Sequence, residues 1–558
     1  LIEALTGRST AYFRPPYNAD GTPVEPGELR ALRVARDLGY LTVGQSIDPD
    51  DWERPGAETL LRRVKKQRSE GGNIILLHDA GGDRSQTVAA LPGIIDYLRA
   101  RGDTIVPLSE MIGLPKETVM PLLREQGEPL AARYVYGSFA VMRFLENTAW
   151  TLLAVVTLLA LVRVMFFVGC AVRHRKHELT VPVAEPVTYP AVSVLLAAYN
   201  EERVIASTIR HLLESDYPAP LQIVVVDDGS KDETATVVTA LAACEPRVTL
   251  ILQPNGGKST ALNRGMAEAV HPVIVMIDAD TMVAPDAIRK LVAPLSDPKV
   301  GAVSGYVRVG NHRHWLGKCQ DVEYAAAFQI DRRAQDLLGC ITVAPGALSA
   351  FRRAALEQAG PISHDTLAED TDLTLQLHRL GWKVAFSPQA IADTEAPEHV
   401  RALVSQRFRW SFGTLQCLWK HGEILFAPGS RWLGWFALPS IWIFQIAVVA
   451  VTPILDLMVL WSLWWGRGTA IWPYFLASLL LDVGLTVAAL AIAGRKLREG
   501  WVALPMRLLY RPLLGYVVWK CILKALAGSW VRWSKLDRTA SAIRQKEAAA
   551  YTHTAPRA

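Results

Sequence analysis

"AVSVLLAAYN", residues 191–200, is an aliphatic run that ends on a tyrosine and an asparagine. A short apolar run bounded by polar residues reads as a buried strand. Working outward, "VIASTIRHLLESD" (204–216) is a helical pattern, "LQIVVVDDGS" (221–230) repeats the strand pattern, "ATVVTALAAC" (235–244) is helical again, and "VIVMIDADT" (273–281) is a third strand. Strands alternating with helices predict an α/β domain on a mainly parallel sheet, over residues 191–428. Ligands of such sheets sit beyond the carboxyl ends of the strands. Tyr199, Asn200, Asp227, Asp228, Asp278 and Asp280 all fall at such ends.

The third strand raises a question of charge. Residues i and i+2 of a strand face one side, so Asp278 and Asp280 would repel each other unless a cation, a substrate donor or water stands there. The competing reading is a polar turn after a buried strand, because Asp favours turns. "VVVDDGSKDET" (224–234) carries the same two readings. In "NGGKSTALNRG" (255–265), Gly256 and Gly257 let a backbone approach a ligand closely, and Lys258 can neutralise phosphate charge. The spacing is not that of a P-loop, and an exposed lysine is the alternative. In "LAEDTDLTLQLHRLGWKV" (367–384), Thr366 is placed to cap a helix that starts near Glu369 and Gly381 to end it. Glu369, Asp370 and Asp372 then either stabilise the helix start through its dipole or accept a proton beside a sheet-end cleft. "QRFRW" (406–410) sets Gln406, Arg409 and Trp410 on one helical face. That face suits diphosphate oxygens and a sugar ring, and equally a helix lying on a membrane.

At 558 residues the chain exceeds one ordinary domain. Half of its residues are hydrophobic and 17 are Trp, a composition that fits membrane segments. A net charge of +5 is mild and implies no nucleic-acid partner. The six cysteines are scattered, without zinc or disulfide spacing, and read as reduced thiols. "WTLLAVVTLLALVRVMFFVGCAV" (150–172) is long enough to cross a bilayer, and the "RHRKH" that follows marks the cytoplasmic side. A transmembrane helix is therefore expected at 148–172, between linkers at 121–147 and 173–190, with the α/β domain inside the cell. Residues 429–530 predict about three further membrane helices, at 433–465, 472–493 and 504–527. The last is the weakest span because it contains Arg507, Arg511, Lys520 and Lys524. Arg163, Asp456 and Asp482 lie inside apolar spans and are expected to face inward, toward a partner or a wet cavity. The tail, 531–558, reads as polar and loosely ordered. The chain opens on Leu in mid-pattern, which suggests a fragment truncated at its N-terminus.

The ordered set YNE, DDGS, NGGK, DAD, ED and QxxRW resembles the processive, inverting family 2 glycosyltransferases, the class of hyaluronan, chitin, cellulose and poly-N-acetylglucosamine synthases. It covers residue 191 to the end of the chain, and the joint order is far more specific than any one motif. The resemblance implies a GT-A fold in a multi-pass plasma-membrane protein that uses a UDP-sugar donor and a growing polysaccharide acceptor. It implies that Tyr199, Glu201, Asp228, Lys258 and Asp278 bind the donor, and that Mg²⁺ or Mn²⁺ sits at Asp280 and Asp278, with Asp280 the principal ligand. Asp370 would be the base, with Glu369 beside it and Arg409 on the leaving diphosphate; Trp410, Gln406 and Gly346 would hold the acceptor. "AED" stands where many members have Thr before the acids, so Ala368 departs from the pattern while both carboxylates remain.

Residues 1–120 carry "RPPYN" (14–18), "SIDPDDW" (46–52) and "IILLHDAGG" (74–82). These resemble the later motifs of NodB-type polysaccharide deacetylases and imply the end of a partial (β/α)-barrel domain outside the cell. By that resemblance Arg14 and Tyr17 line the site, Asp48 and Trp52 support it, Leu77 is pocket wall and His78 the general acid. The motifs that supply the family's metal ligands are absent, so no deacetylation is expected from this piece alone. An external deacetylase needs an acetamido substrate, and that association favours UDP-N-acetylglucosamine as the donor. The alternatives are a cellulose-like or hyaluronan-like synthase, a single-sugar transferase, and an inactive membrane scaffold that binds nucleotide or glycan.

Overall fold

The computed structural model describes residues 8–15, 26–79, 82–122, 130–180, 186, 188–464, 468–528 and 539–546. The chain divides into two units, Leu1–Thr148 and Ala149–Ala558.

In the first unit, β1 (Tyr12–Phe13), α1 (Pro26–Asp37), β2 (Leu41–Thr42), α2 (Ala57–Ser69) and α3 (Ser85–Ala100) follow one another. β1 and β2 pair in parallel, and Ile47 and Ile75 form a further parallel bridge. α2 and α3 bury Leu60, Val64, Ile94 and Leu98 around Ile47. These are short parallel strands separated by amphipathic helices. The helix α4 (Leu130–Thr180) is longer than the sequence suggests. It takes in much of the expected linker at 121–147 and the basic cluster at 173–177. Arg, Lys, Glu, Leu and Ala are all good helix formers whatever their polarity, so charge marks a membrane boundary without ending a helix.

The second unit is built on an eight-stranded sheet in the order β5-β4-β3-β6-β9-β8-β10-β7. In chain order its elements are β3 (Val192–Ala198), α5 (Ile205–Leu213), β4 (Leu221–Asp227), α6 (Thr234–Cys244), β5 (Val248–Leu252), α7 (Lys258–Glu268), β6 (Val273–Asp278), β7 (Met282–Val283), β8 (Val300–Val309), α8 (Trp315–Ala326), β9 (Ser349–Arg352), α9 (Glu369–Arg379), β10 (Lys383–Thr394) and α10 (Val400–Lys420). β3, β4, β5 and β6 are mutually parallel, as expected. The other half is mixed: β9 runs antiparallel to both β6 and β8, and β7 antiparallel to β10. The expectation of a mainly parallel sheet is thus corrected for that half. Val194, Leu196, Val224, Val226, Val275 and Ile277 are buried in its core, so both faces of the parallel strands are covered.

β6 stops at Asp278, and the Thr281 N–H returns to the Asp278 carbonyl at 3.0 Å. Asp280 therefore lies in a turn, not in the strand with Asp278. Thr366 does not cap α9: Ala368 holds the N-cap position, and its side chain makes no capping bond. Gly381, at φ 84°, follows the helix end as expected.

After α10 come apolar helices, including α11 (Val448–Trp464), α12 (Gly468–Ile492) and α13 (Arg511–Leu526), the last preceded by a π turn at Met506–Tyr510. Among the described residues, Trp150–Thr180 and Leu433–Ile454 are long and apolar enough to cross a bilayer. The charges inside the apolar segments are paired. Arg163 donates to Asp331 at 3.1 Å, Arg507 meets Asp456 at 2.6 Å, and Arg511 meets Asp482 at 2.5 Å. The arginines that make the third segment look weak thus neutralise the aspartates of the first two. Part of the tail is held as well, against the expectation of loose order. Thr539 bonds to Glu395 through both its N–H and its hydroxyl at 2.8 Å, and Ala542 is buried.

Candidate active site

Four strand ends and two helix starts converge at the carboxyl edge of the parallel strands. Tyr199 and Glu201 lie half-buried just past β3, and Asn200 takes a left-handed φ of 54°. That conformation lets the Asn200 N–H reach the Ser230 hydroxyl at 2.8 Å while its side-chain oxygen accepts from the Lys231 N–H at 2.7 Å. Asp228 follows β4 and is buried. Its carboxylate accepts from the Gln253 amide at 2.6 Å and from the N–H groups of Gly256 and Gly257 at 2.8 Å each. Asp228 therefore shapes the glycine loop, and Gly257 needs its φ of 87° to present that N–H.

The same loop launches α7 at Lys258, whose ammonium lies 2.8 Å from Asp278 and 2.8 Å from Glu369. The positive group demanded beside Asp278 is thus supplied by the chain itself. Burial pushes the Lys258 pKa down, but the two carboxylates outweigh it and hold the ammonium well above its ordinary value. Gly346 sits against this cluster: a Cβ there would lie 2.7 Å from the Lys258 nitrogen and 3.6 Å from an Asp278 oxygen. The Gly346 N–H reaches Asp370 at 3.4 Å, and the Thr371 N–H reaches it at 2.7 Å. Burial, then the adjacent Glu369 charge, raise the Asp370 carboxyl, while Lys258 and the two N–H groups pull it back; the balance places it at about 6.

α9 and α10 are bolted together behind these acids. Asp372 is buried and accepts from Lys420 at 2.9 Å, with His421 2.8 Å from its other oxygen. Thr374 accepts from the Ala344 N–H at 2.9 Å and donates to the Asp370 carbonyl at 2.6 Å, which fixes the stretch at 344–347 over the helix start.

On α10, Gln406 is buried, Arg409 half-buried and Trp410 exposed. Sequence reasoning passed over Arg407, which is buried. Its guanidinium donates to Gln406 at 2.9 Å and to Glu323 at 2.5 Å, and stacks 4.3 Å from the centroid of Trp410. Arg407 was legible as the residue three positions before Trp410, a spacing that makes helical neighbours.

No three His, Cys, Asp or Glu side chains cluster closely enough to enclose a metal ion among the described residues. Asp278 is engaged by Lys258, and Asp280 is buried with the Thr394 hydroxyl 3.4 Å from one oxygen. Such a pair fits a hard cation that takes most of its oxygens from a substrate diphosphate and water, as Mg²⁺ does. It does not fit a closed, all-protein site.

In the first unit, His78 lies 2.7 Å from Asp51, and Asp51 also accepts from the His78 N–H at 2.9 Å and the Thr87 hydroxyl at 3.0 Å. Burial raises the Asp51 carboxyl, but the bonds from His78 and Thr87 outweigh that and leave it below its usual range. Asp51, the neighbour of Trp52, was missed from sequence. Arg14 donates to Gln45 at 2.8 Å, Asp48 organises the turn by accepting from the Asp50 N–H at 3.0 Å, Trp52 is exposed, and Leu77 is half-buried. Tyr17 lies outside the described residues.

Residues 190–413 match the family described as "Glycosyltransferase like family 2". Poly-beta-1,6-N-acetyl-D-glucosamine synthase of Staphylococcus aureus (strain COL) is 32% identical over 241 residues, 43% of this chain and 57% of that protein. The synthase of the same name from Staphylococcus epidermidis is 33% identical over 223 residues, 40% of this chain and 54% of that protein. The chain spans about half the length of these curated relatives. Among solved structures, Mannosyltransferase PcManGT from Pyrobaculum calidifontis, in complex with GDP-Man and Mn²⁺, aligns with 68% of this chain and 100% of its own at 24% identity and a TM-score of 0.44. Residues 190–413 thus carry the match to the family 2 glycosyltransferases, and they form the mixed sheet with its flanking helices.

Proposed function

We propose, from that family 2 match, that the chain is a membrane-embedded inverting glycosyltransferase that polymerises a UDP-sugar, UDP-N-acetylglucosamine above others, into a β-linked polysaccharide. The choice of sugar rests on the two staphylococcal synthases named above. The observation that carries the chemistry is Lys258 held between Asp278 and Glu369, with Gly346 and Asp370 beside it.

An ammonium has three donors, and two carboxylates take two of them here. The third is available for a phosphate oxygen. Tyr199 and Glu201 at the end of β3 line the donor side, and Asp228 keeps the glycine loop in place. Asp370, with its carboxyl raised to about 6, is suited to take the proton from an acceptor hydroxyl. The hydroxyl oxygen bonds to the anomeric carbon as the bond to UDP breaks, the bonding pair leaves with UDP, and the proton rests on Asp370. One displacement inverts the anomeric centre and needs no protein nucleophile. Arg409 stabilises charge on the departing diphosphate, and Trp410 offers a flat face to the acceptor sugar. Mg²⁺ or Mn²⁺, held by Asp280 with Asp278 nearby, would neutralise diphosphate charge when bound.

The same reading puts the transferase in the cytoplasm and the first unit outside, as a deacetylase-like unit. The Asp51–His78 pair supports it, because a carboxylate on one ring nitrogen fixes the imidazole for proton transfer at the other.

Asp370→Asn tests the assignment. Incorporation of labelled N-acetylglucosamine by vesicles should fall by about 10²- to 10⁴-fold, with UDP binding unchanged. Full activity in that variant would remove Asp370 from the role of base.

A further inference from the structure

The buried Arg407 has no part in the chemistry above, yet three elements meet on it. Its guanidinium donates to Glu323 of α8 at 2.5 Å and to the Tyr510 hydroxyl at 3.0 Å. Tyr510 closes the triangle by donating to the same Glu323 oxygen at 2.6 Å. On its other side the guanidinium plane lies 4.3 Å from the Trp410 ring centroid, and Tyr324 flanks that ring at 6.3 Å. Arg407 and Tyr510 are 4% and 0% exposed, whereas Trp410 is 43% exposed. One face of Trp410 is therefore fixed by a buried cation. Tyr510 ends the π turn at Met506–Tyr510 that leads into α13, and π turns are frequent at functional sites.

We propose that Arg407, Glu323 and Tyr510 are positioning residues that clamp Trp410 as the platform for the acceptor sugar and tie its orientation to the third C-terminal apolar segment. The inference rests on the reading of Trp410 as the acceptor platform. It goes further in making retention of the growing chain depend on a residue of the membrane region. Arg is required in this role because a planar guanidinium can stack on an indole while its edge donates to a carboxylate. Lysine would keep the charge and lose the stack.

The experiment compares the unaltered full chain with Tyr510→Phe and Arg407→Lys in membrane vesicles supplied with UDP-N-acetylglucosamine. Donor KM and the initial rate of UDP release are read separately from mean product length. The expected result is a donor KM within about twofold of the unaltered chain in Tyr510→Phe, with mean product length reduced at least about threefold, and a larger reduction in Arg407→Lys. Unchanged product length in both variants overturns the clamp. A rise in donor KM together with a fall in rate and in product length in both variants overturns it too, since a general distortion of the site moves all three together. Failure of the unaltered chain to incorporate any sugar instead overturns the polymerase reading. The clamp is then judged by the binding of short N-acetylglucosamine oligomers to purified full-length protein, which it requires to weaken at least about threefold in Tyr510→Phe.

Discussion

Lys258 stands between two acids that come from different motifs, and Asp370 stands next to one of them. A carboxyl with an ordinary pKa of 3.8 that burial and a neighbouring charge raise to about 6 is protonated over a pH range where most carboxylates are ionised. Its basic form is the active one under the proposed chemistry. Initial rates of sugar incorporation should therefore climb as pH rises through about 6 and level off above it. A rate profile flat from well below 6 to above 7 would detach the base from Asp370. The stability consequence has the opposite sign: a carboxyl raised in the folded state favours the fold while protonated, and that contribution is lost as pH rises through the folded pKa.

At the scale of elements, the junction of α9 and α10 depends on Asp372. Burial alone would raise its carboxyl, but His421 and Lys420 bond to it and leave it below the ordinary range. That contribution is complete at neutral pH and is lost as pH falls from the ordinary carboxylate value through the folded one. Asp372→Ala should destabilise the domain by about 3 kcal/mol, measurable as a lower thermal midpoint in detergent. It should also lower turnover, since Asp370 begins the same helix. The parallel strands and the strand-end acids were legible in the sequence because buried aliphatic runs are local signals that stop where polar residues begin. The placement of β9 was not, since a four-residue strand running antiparallel between two longer ones leaves no periodic trace. Nor was the bridge from Lys258 to Glu369, or that from Arg407 to Tyr510, because each joins residues about a hundred positions apart that only the tertiary fold brings together.

At the scale of the whole molecule, the apolar C-terminal segments are joined through charge. Asp482 is buried against Arg511, and Asp456 faces Arg507. An ionised side chain in an apolar setting is costly without its counter-ion. Arg511→Gln should therefore lower the yield of monodisperse protein extracted in detergent, and Arg511→Gln combined with Asp482→Asn should recover much of it. Equal yields in all three chains would mean that the pair is dispensable for assembly.

Because one ammonium serves both Asp278 and Glu369, the DAD and ED motifs are energetically a single object. Removing either carboxylate leaves Lys258 better matched to the other, and removing the lysine sets two anions against each other. The cost of a double substitution at Asp278 and Glu369 should then depart from the sum of the singles by about 0.5–3 kcal/mol, the coupling expected of groups in one network. Rate constants from the two single and one double neutral variants would measure that coupling directly. A phenotype mapped to one of these motifs will report on the other.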